Sequence, residues 1–196
     1  MAGKRRFDEQ AVFNVAIEVL ERRGYKEATM VDLAEAAGVR RSALYNAYGS
    51  KEQFFVRAFN YVAVGFFERV SHALTKSDRR ACLQSFFELI IPLDNTSRCV
   101  AFIATRLTTE SADSSQRLRN SLVEFFVELE NLLSEALSVE RDGMQLFMSA
   151  QEAAKLVVAT TRGIAVMRNM HMNLTIATSV TSALLNAVIS SAPRDS

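Results

Sequence analysis

Apolar positions recur at three- and four-residue intervals along most of the chain, and the breaks between them fall on glycines and short polar clusters. Residues 8 to 23 carry Phe13, Ala16, Ile17 and Leu20 on one helical face, and Gly24 closes the run. Thr29-x-x-Asp32 has the form of a helix-opening cap. The short helix it predicts takes Val31, Leu33, Ala34 and Ala37 as its apolar set and stops at Gly38. A third short helix is predicted from about Arg40 to Ala47, with Leu44 turned inward. Gly49-Ser50 interrupts the pattern, and Ser50-x-x-Gln53 opens a long fourth helix with the stripe Phe55, Phe59, Val62, Phe66, Val70 and Ala73.

Beyond residue 78 the spacing stays helical, over 79–91, 99–111, 115–138, 144–171 and 174–191. Polar clusters separate these segments, among them Asp94-Asn95-Thr96-Ser97 and Ser111-Ala112-Asp113-Ser114-Ser115. The last two segments are apolar on more than one face, with Leu156, Val157, Val158, Ile164, Val166 and Met167 joined by Ile176, Val180, Leu184, Leu185 and Val188. A helix apolar over so wide an arc must bury more than one side, in a deep core or a subunit interface. The pattern predicts an all-α chain of about nine helices without repeats or low-complexity segments. It divides into a three-helix head over 1–53 and a larger helical body over 54–196, joined within the fourth helix and not by a flexible linker.

Composition supports the helical reading: only 7 Gly and 2 Pro punctuate 196 residues. Cys82 and Cys99 are too few for a disulfide framework and lack C-x-x-C spacing, which points to a cytoplasmic protein. The basic start Lys4-Arg5-Arg6 runs into Phe7-Asp8-Glu9-Gln10 instead of an apolar stretch, so no secretory signal is read. No run of about 18 uninterrupted apolar residues suggests a membrane span. Net charge is +1, and the first 51 residues hold nine basic against seven acidic side chains. Bulk charge therefore says little about nucleic acid, and the placement of cations on one face must carry that question.

The stretch Met30-Val-Asp-Leu-Ala-Glu-Ala-Ala-Gly-Val-Arg-Arg-Ser-Ala-Leu-Tyr-Asn-Ala-Tyr48 has helix-turn-helix spacing. Ala34 falls where two helices cross, Gly38 where the backbone turns sharply, and Leu44 where the second helix packs onto the first. That arrangement lets the second helix project into a major groove. The surrounding string Leu44-Tyr45-Asn46-Ala47-Tyr48-Gly49-Ser50-Lys51-Glu52, with Arg23-Gly24-Tyr25 and Thr29-Met30 before it, closely resembles the TetR family of bacterial transcriptional regulators. The close match spans roughly residues 7 to 59. Ala47 stands where the family often has His, and Tyr48 where Phe is usual.

The candidate DNA-contacting set is Thr29, Arg40, Arg41, Ser42, Ala43, Tyr45, Asn46, Tyr48 and Lys51. Arg40 and Arg41 open the recognition helix, where an arginine reads guanine O6 and N7 and an Asn such as Asn46 pairs with adenine. Ser42 and Ala43 are small enough for close approach, and Ala43 suits a thymine methyl. Tyr45 is assigned to a phosphate, as the resemblance also implies. Thr29 and Lys51 lie at helix N-termini that favour phosphate, and Thr29 also caps its own helix. Lys4, Arg5 and Arg6 form a candidate basic arm.

The resemblance further implies a dimer built from the helices near 144–171 and 174–191, a near-palindromic double-stranded operator, and a body that binds a small-molecule effector. A repressor released by that effector is the expected sense of control. Phe86, Phe102, Arg106, Phe126, Phe147, Met148 and Met167 are the candidate effector-lining residues, although simple core packing is the commoner explanation for the apolar ones, and Arg106 equally suits surface exposure or an ion pair with Glu110. Cys99, at a helix start beside Arg98, is a candidate redox or electrophile sensor through a lowered thiol pKa. No nucleophile elbow, His-Glu-x-x-His, P-loop or paired carboxylates are present, and His72 and His171 have no partner pattern. No enzyme activity, cofactor or metal is expected. A helical interaction or scaffold protein is the rival reading, and it leaves the string around Tyr45 and Lys51 unexplained.

Overall fold

The computed structural model describes residues 8–91, 99–110, 115–141, 144–169 and 174–191. Within them run nine helices and one two-stranded ribbon. In order they are α1 (Glu9–Glu27), α2 (Met30–Ala36), α3 (Arg41–Tyr48), α4 (Lys51–Ala73), α5 (Arg79–Ile90), α6 (Val100–Glu110), α7 (Gln116–Ser138), β1 (Met144–Leu146), α8 (Ala150–Asn169), α9 (Leu174–Val188) and β2 (Ile189–Ser191). The basic arm Lys4 to Arg6, Arg98 and His171 lie outside the described residues. The chain forms two compact units, one of Met1–Gly65 with Arg106–Glu124 and one of Phe66–Thr105 with Phe125–Ser196. Compactness thus divides α4 at Gly65 and assigns the end of α6 and the start of α7 to the first unit.

The first unit is organised by its helix ends. Asp8 caps α1 by accepting from the backbone N–H of Gln10 at 3.0 Å and Ala11 at 3.3 Å. Val12, Phe13, Ala16, Ile17, Val19 and Leu20 form the buried face of α1. At Gly24 the backbone leaves helical geometry (φ 74, ψ 172), a conformation essentially reserved for glycine, and the chain turns a corner. Thr29 then opens α2 with a reciprocal capping box to Asp32, as the spacing predicts. So short a helix buries only Met30, Leu33 and Ala34, and Val31, counted above in the apolar set, is instead exposed. Gly38 makes the tight turn with φ 64, and α3 is held by the buried Leu44 and Tyr48. The Ser50–Gln53 pair caps α4 reciprocally: Ser50 N–H donates to Gln53 Oε1 at 3.0 Å and Gln53 N–H to Ser50 Oγ at 3.2 Å. Phe54 joins Phe55 and Phe59 in the core, with its ring edge-on to Tyr48 at 4.9 Å.

In the second unit Asp78 caps α5, and Phe66 and Phe67 meet Phe125 of α7 at 5.3 Å and 5.0 Å between ring centroids. The prediction of helix from residue 144 is corrected here. Met144–Leu146 pair antiparallel with Ile189–Ser191, and the Phe147 N–H donates to the Val188 carbonyl at 3.0 Å. Helix α8 begins only after a capping box in which Ser149 and Glu152 exchange bonds at 2.9 Å and 3.2 Å. The pairing of β1 joins sequence-distant backbone, so local periodicity could not report it. No helix among the described residues is long and apolar enough to cross a membrane.

The Gly24 geometry carries a stability consequence. An added Cβ would meet Glu110 Oε2 at 2.3 Å as well as strain the backbone. Gly24→Ala is expected to destabilise the fold by roughly 1–3 kcal/mol in urea unfolding. Gly38→Ala, where a Cβ meets nothing within 4 Å, should cost less.

Candidate nucleic-acid interface

At about 100° per residue, anchoring α3 through Leu44 and Tyr48 turns residues one turn apart on the other side toward solvent. Arg40, Arg41, Ser42, Tyr45 and Asn46 are all exposed, and Ala43 is half-buried. The face is therefore polar and cationic with small residues between, which suits close approach to a groove. Arg41 stacks its guanidinium 5.3 Å from the centre of the Tyr45 ring, one turn along. A cation over a ring in this way keeps its N–H donors, and both side chains stay exposed.

Tyr48 is a correction. It is 4 % exposed, packs against Phe13 and Phe54, and donates its hydroxyl to Glu9 Oε1 at 3.0 Å. Four residues after Leu44, it falls on the same inward face and does not belong to the contact surface.

Thr29 is exposed, but its hydroxyl is committed to the cap. It donates to Asp32 Oδ2 at 2.7 Å and accepts the Asp32 N–H at 3.1 Å. These bonds from Thr29 hold the Asp32 carboxyl below its usual range, with nearby Arg23, 3.2 Å away, adding to the effect. Lys51 is likewise placed by its neighbours. Its Nζ donates to the Lys26 carbonyl at 3.2 Å and sits 4.6 Å above the centre of the Tyr25 ring. Burial pushes its pKa below the ordinary lysine value, against the pull of Glu27 and Asp32. An ammonium has three donors, so the Lys26 bond leaves two for a phosphate.

Residues that sequence reasoning missed complete this unit. Glu52 accepts from Ser115 Oγ at 2.6 Å and from the Arg117 N–H at 3.3 Å, capping the start of α7. Tyr25 sits edge-on to Phe55 at 5.7 Å, and burial raises its pKa while a hydrogen bond from Ser115 opposes the rise. Arg57 lies 5.8 Å over the Tyr48 ring. Nothing local in the sequence signals these distant partners, although Glu52 belongs to the recognisable string.

The candidate effector residues are scattered. Phe86 is fully buried against Phe87, Phe102 lies under Arg168 at 5.4 Å, and Phe126 lies under Arg162 at 4.6 Å. Met148 and Met167 are half-buried, while Phe147 is 66 % exposed and lines no interior. Of the two roles the sequence leaves open for Arg106, the structure shows the ion pair: it belongs to the first unit and pairs with Glu110 at 2.5 Å. Cys99 is a further correction. It does precede α6, but burial outweighs the helix start and the nearby Arg168 and Arg69, and its thiol pKa is raised. The buried sulfur is kept as thiol, not thiolate, at neutral pH.

Residues 12–58 match the family described as bacterial regulatory proteins, tetR family. Over that stretch, the N-terminal head, the chain carries a TetR-type sequence. An uncharacterized helix-turn-helix transcriptional regulator, YezE of Bacillus subtilis, is 36% identical over 58 residues, 30% of this chain and 30% of that relative's length. The fold matches Escherichia coli NemR in its reduced form with a TM-score of 0.81 at 18% identity, covering 92% of this chain and 97% of NemR. It also matches a cysteine mutant of the TetR-family regulator CifR, crystallised with a 26-base-pair operator duplex, with a TM-score of 0.75 at 22% identity. That match covers 94% of this chain and 98% of CifR. The sequence match is thus to the helix-turn-helix head, and the structural likeness extends the fold over the rest of the chain.

Two measurements follow from the side-chain placements. Tyr48→Phe should lower stability by about 0.5–1.5 kcal/mol, the net worth of one hydrogen bond, and leave DNA affinity unchanged. Cys99 should alkylate slowly at neutral pH, with its rate rising at a higher pH than that of a free cysteine. The sign for stability is the same: the contribution from keeping this thiol neutral is complete below the unfolded thiol pKa and lost as pH rises through the folded one.

Proposed function

We propose that this chain is a TetR-family transcriptional regulator, a dimeric repressor whose two heads, each residues 1–53, occupy the half-sites of a near-palindromic operator and leave it when the body binds a small-molecule effector. The observation that carries the DNA-contact assignment is the outward face of α3, where Arg40, Arg41, Ser42, Tyr45 and Asn46 are all exposed. Arg41 and Asn46 read bases, while Tyr45, Lys51 and the N-terminus of α2 meet phosphates and set register. Such a protein works in the cytoplasm, with its operator.

The dimer reading is supported by the surface of the last two helices. On α8 the exposed positions Leu156, Ala159, Gly163 and Val166 follow one another at intervals of three and four. On α9 the exposed Ile176, Ala183 and Ala187 and the half-buried Val180 do the same. Two adjacent apolar stripes on packed helices suit a four-helix interface with a second copy. Gly163 lies in the middle of the α8 stripe, where a Cβ would meet nothing within 4 Å, so the stripe is open to a neighbour at that point. For the effector, the support is the interior of the second unit, where Phe102 and Phe126 pair with Arg168 and Arg162. Control requires that the effector bind one arrangement of the heads more tightly than another.

Selection of duplexes from a random pool, followed by titration over a salt series, tests the reading. Log affinity should fall steeply with log salt. Arg41→Ala should cost about 1–3 kcal/mol and relax base preference, while Tyr45→Phe should weaken binding to all sequences alike. Val166→Glu should give monomers that bind the selected duplex weakly. A wild-type protein that enriches no sequence at any salt concentration would overturn the proposal.

A further inference from the structure

The break in α1 at Gly24 is bridged by two side chains from the end of α6. In an uninterrupted helix the Tyr25 N–H donates to the Glu21 carbonyl. With Gly24 at φ 74 and ψ 172 that N–H is turned away, and it donates to Glu110 Oε2 at 2.9 Å. The Glu21 carbonyl accepts from Arg106 Nη1. Arg106 Nε in turn donates to Glu110 Oε1 at 2.5 Å, closing the loop. The ion pair therefore supplies an acceptor for the displaced donor and a donor for the displaced acceptor. Glu110 also fills the space that a side chain at residue 24 would take, with its carboxylate 2.3 Å from the position of an added Cβ.

The corner held in this way leads directly into the DNA-contacting helices. Tyr25 carries Lys51 over its ring and meets Phe55 edge-on, so the start of α4 is seated on the same residue. Lys51 reaches the Lys26 carbonyl at 3.2 Å, and Thr29, three residues later, caps α2. Neither Arg106 nor Glu110 belongs to the helix-turn-helix, and both are partly exposed at 32% and 26%. Coulomb attraction at such a site is modest. The four hydrogen-bonding groups they join are the larger consideration, because those groups fix backbone direction at the break.

We propose that Arg106 and Glu110 are positioning residues for DNA binding: together they hold the Gly24–Tyr25 corner and thereby set the direction in which α2 and α3 leave α1. Displacing the end of α6 frees the corner and lowers affinity without removing any DNA contact. The proposal rests on the reading of α3 as the DNA-contacting helix.

The test uses the full chain and a duplex selected by the wild-type protein from a random pool. Glu110→Ala and Arg106→Met are each expected to weaken binding by roughly 10- to 100-fold, the equivalent of one hydrogen bond to a charged group. The slope of log affinity against log salt should not change, because no phosphate contact is lost. Hydrogen exchange of the Tyr25 amide, measured without DNA, should accelerate by a similar factor, while amides within α8 keep their protection. The double variant should lose no more than the worse single one. Should Glu110→Ala fail to fold, Glu110→Gln keeps an acceptor for Tyr25 and should show a smaller loss in the same two readouts. Unchanged Tyr25 exchange, or faster exchange with unchanged affinity, overturns the proposal. A salt slope reduced by about one in Arg106→Met also overturns it, since Arg106 would then meet a phosphate itself. Failure of the wild-type protein to select any duplex sinks the DNA-contact reading instead, while the Tyr25 exchange still reports on the corner.

Discussion

The positive φ at Gly24 sets the terms for the whole first unit. It breaks the helical geometry of α1 while the chain is still buried; at the break the Tyr25 N–H donates to Glu110 at 2.9 Å and the Glu21 carbonyl accepts from Arg106. A backbone donor and acceptor at such a corner each need a partner, since polar backbone left unpaired away from water costs as much as a lost hydrogen bond. Arg106 and Glu110 meet both needs at once, and the absent side chain at residue 24 gives the carboxylate room to enter. The Tyr25 ring then becomes common ground for α1, α4 and the start of α7, through Lys51, Phe55 and Ser115. A helix of eight residues such as α3 has little stability of its own and takes its direction from such supports.

What is exposed on α3 follows from what is buried. Leu44 and Tyr48 enter the core one turn apart, and the Tyr48 hydroxyl avoids a desolvation penalty by bonding to Glu9. With that side fixed, the remaining positions have no packing to do, and Arg41 and Tyr45 order each other on the surface. Two side chains already arranged before contact lose less rotamer freedom on binding than two independent ones. The same economy applies to Lys51, whose ammonium is held over the Tyr25 ring and bonded to the Lys26 carbonyl.

Features written in four or five consecutive residues were legible from sequence. The Thr29–Asp32 and Ser50–Gln53 boxes, the stop at Gly24 and the turn at Gly38 are of this kind, since each needs only local geometry. The inward face of α3 was half legible: Leu44 was placed correctly, and its spacing to Tyr48 already pointed the tyrosine inward. Contacts between distant segments were not legible. Glu110 lies 85 residues from Tyr25, and β2 lies beyond two helices from β1, so no window of the chain contains either pair. Cys99 failed for a different reason. A helix start and neighbouring arginines favour thiolate, but burial favours thiol more strongly, and the depth of burial is a property of the folded chain alone.

The geometry of α6 bears on how an effector would act. This helix of 11 residues begins beside Cys99 and Phe102 in the second unit and ends at Arg106 and Glu110 in the first. At about 1.5 Å per residue it is a rod of about 16 Å, and its internal hydrogen bonds resist bending. A ligand that binds equally well to every position of α6 changes nothing, however tight its binding. Under the proposed effector control, a ligand that favours a shifted α6 would draw Glu110 away from the Tyr25 N–H, and the corner would have to find other partners for two polar groups. The cost of that exchange is the term through which α6 would bear on the direction of α2 and α3.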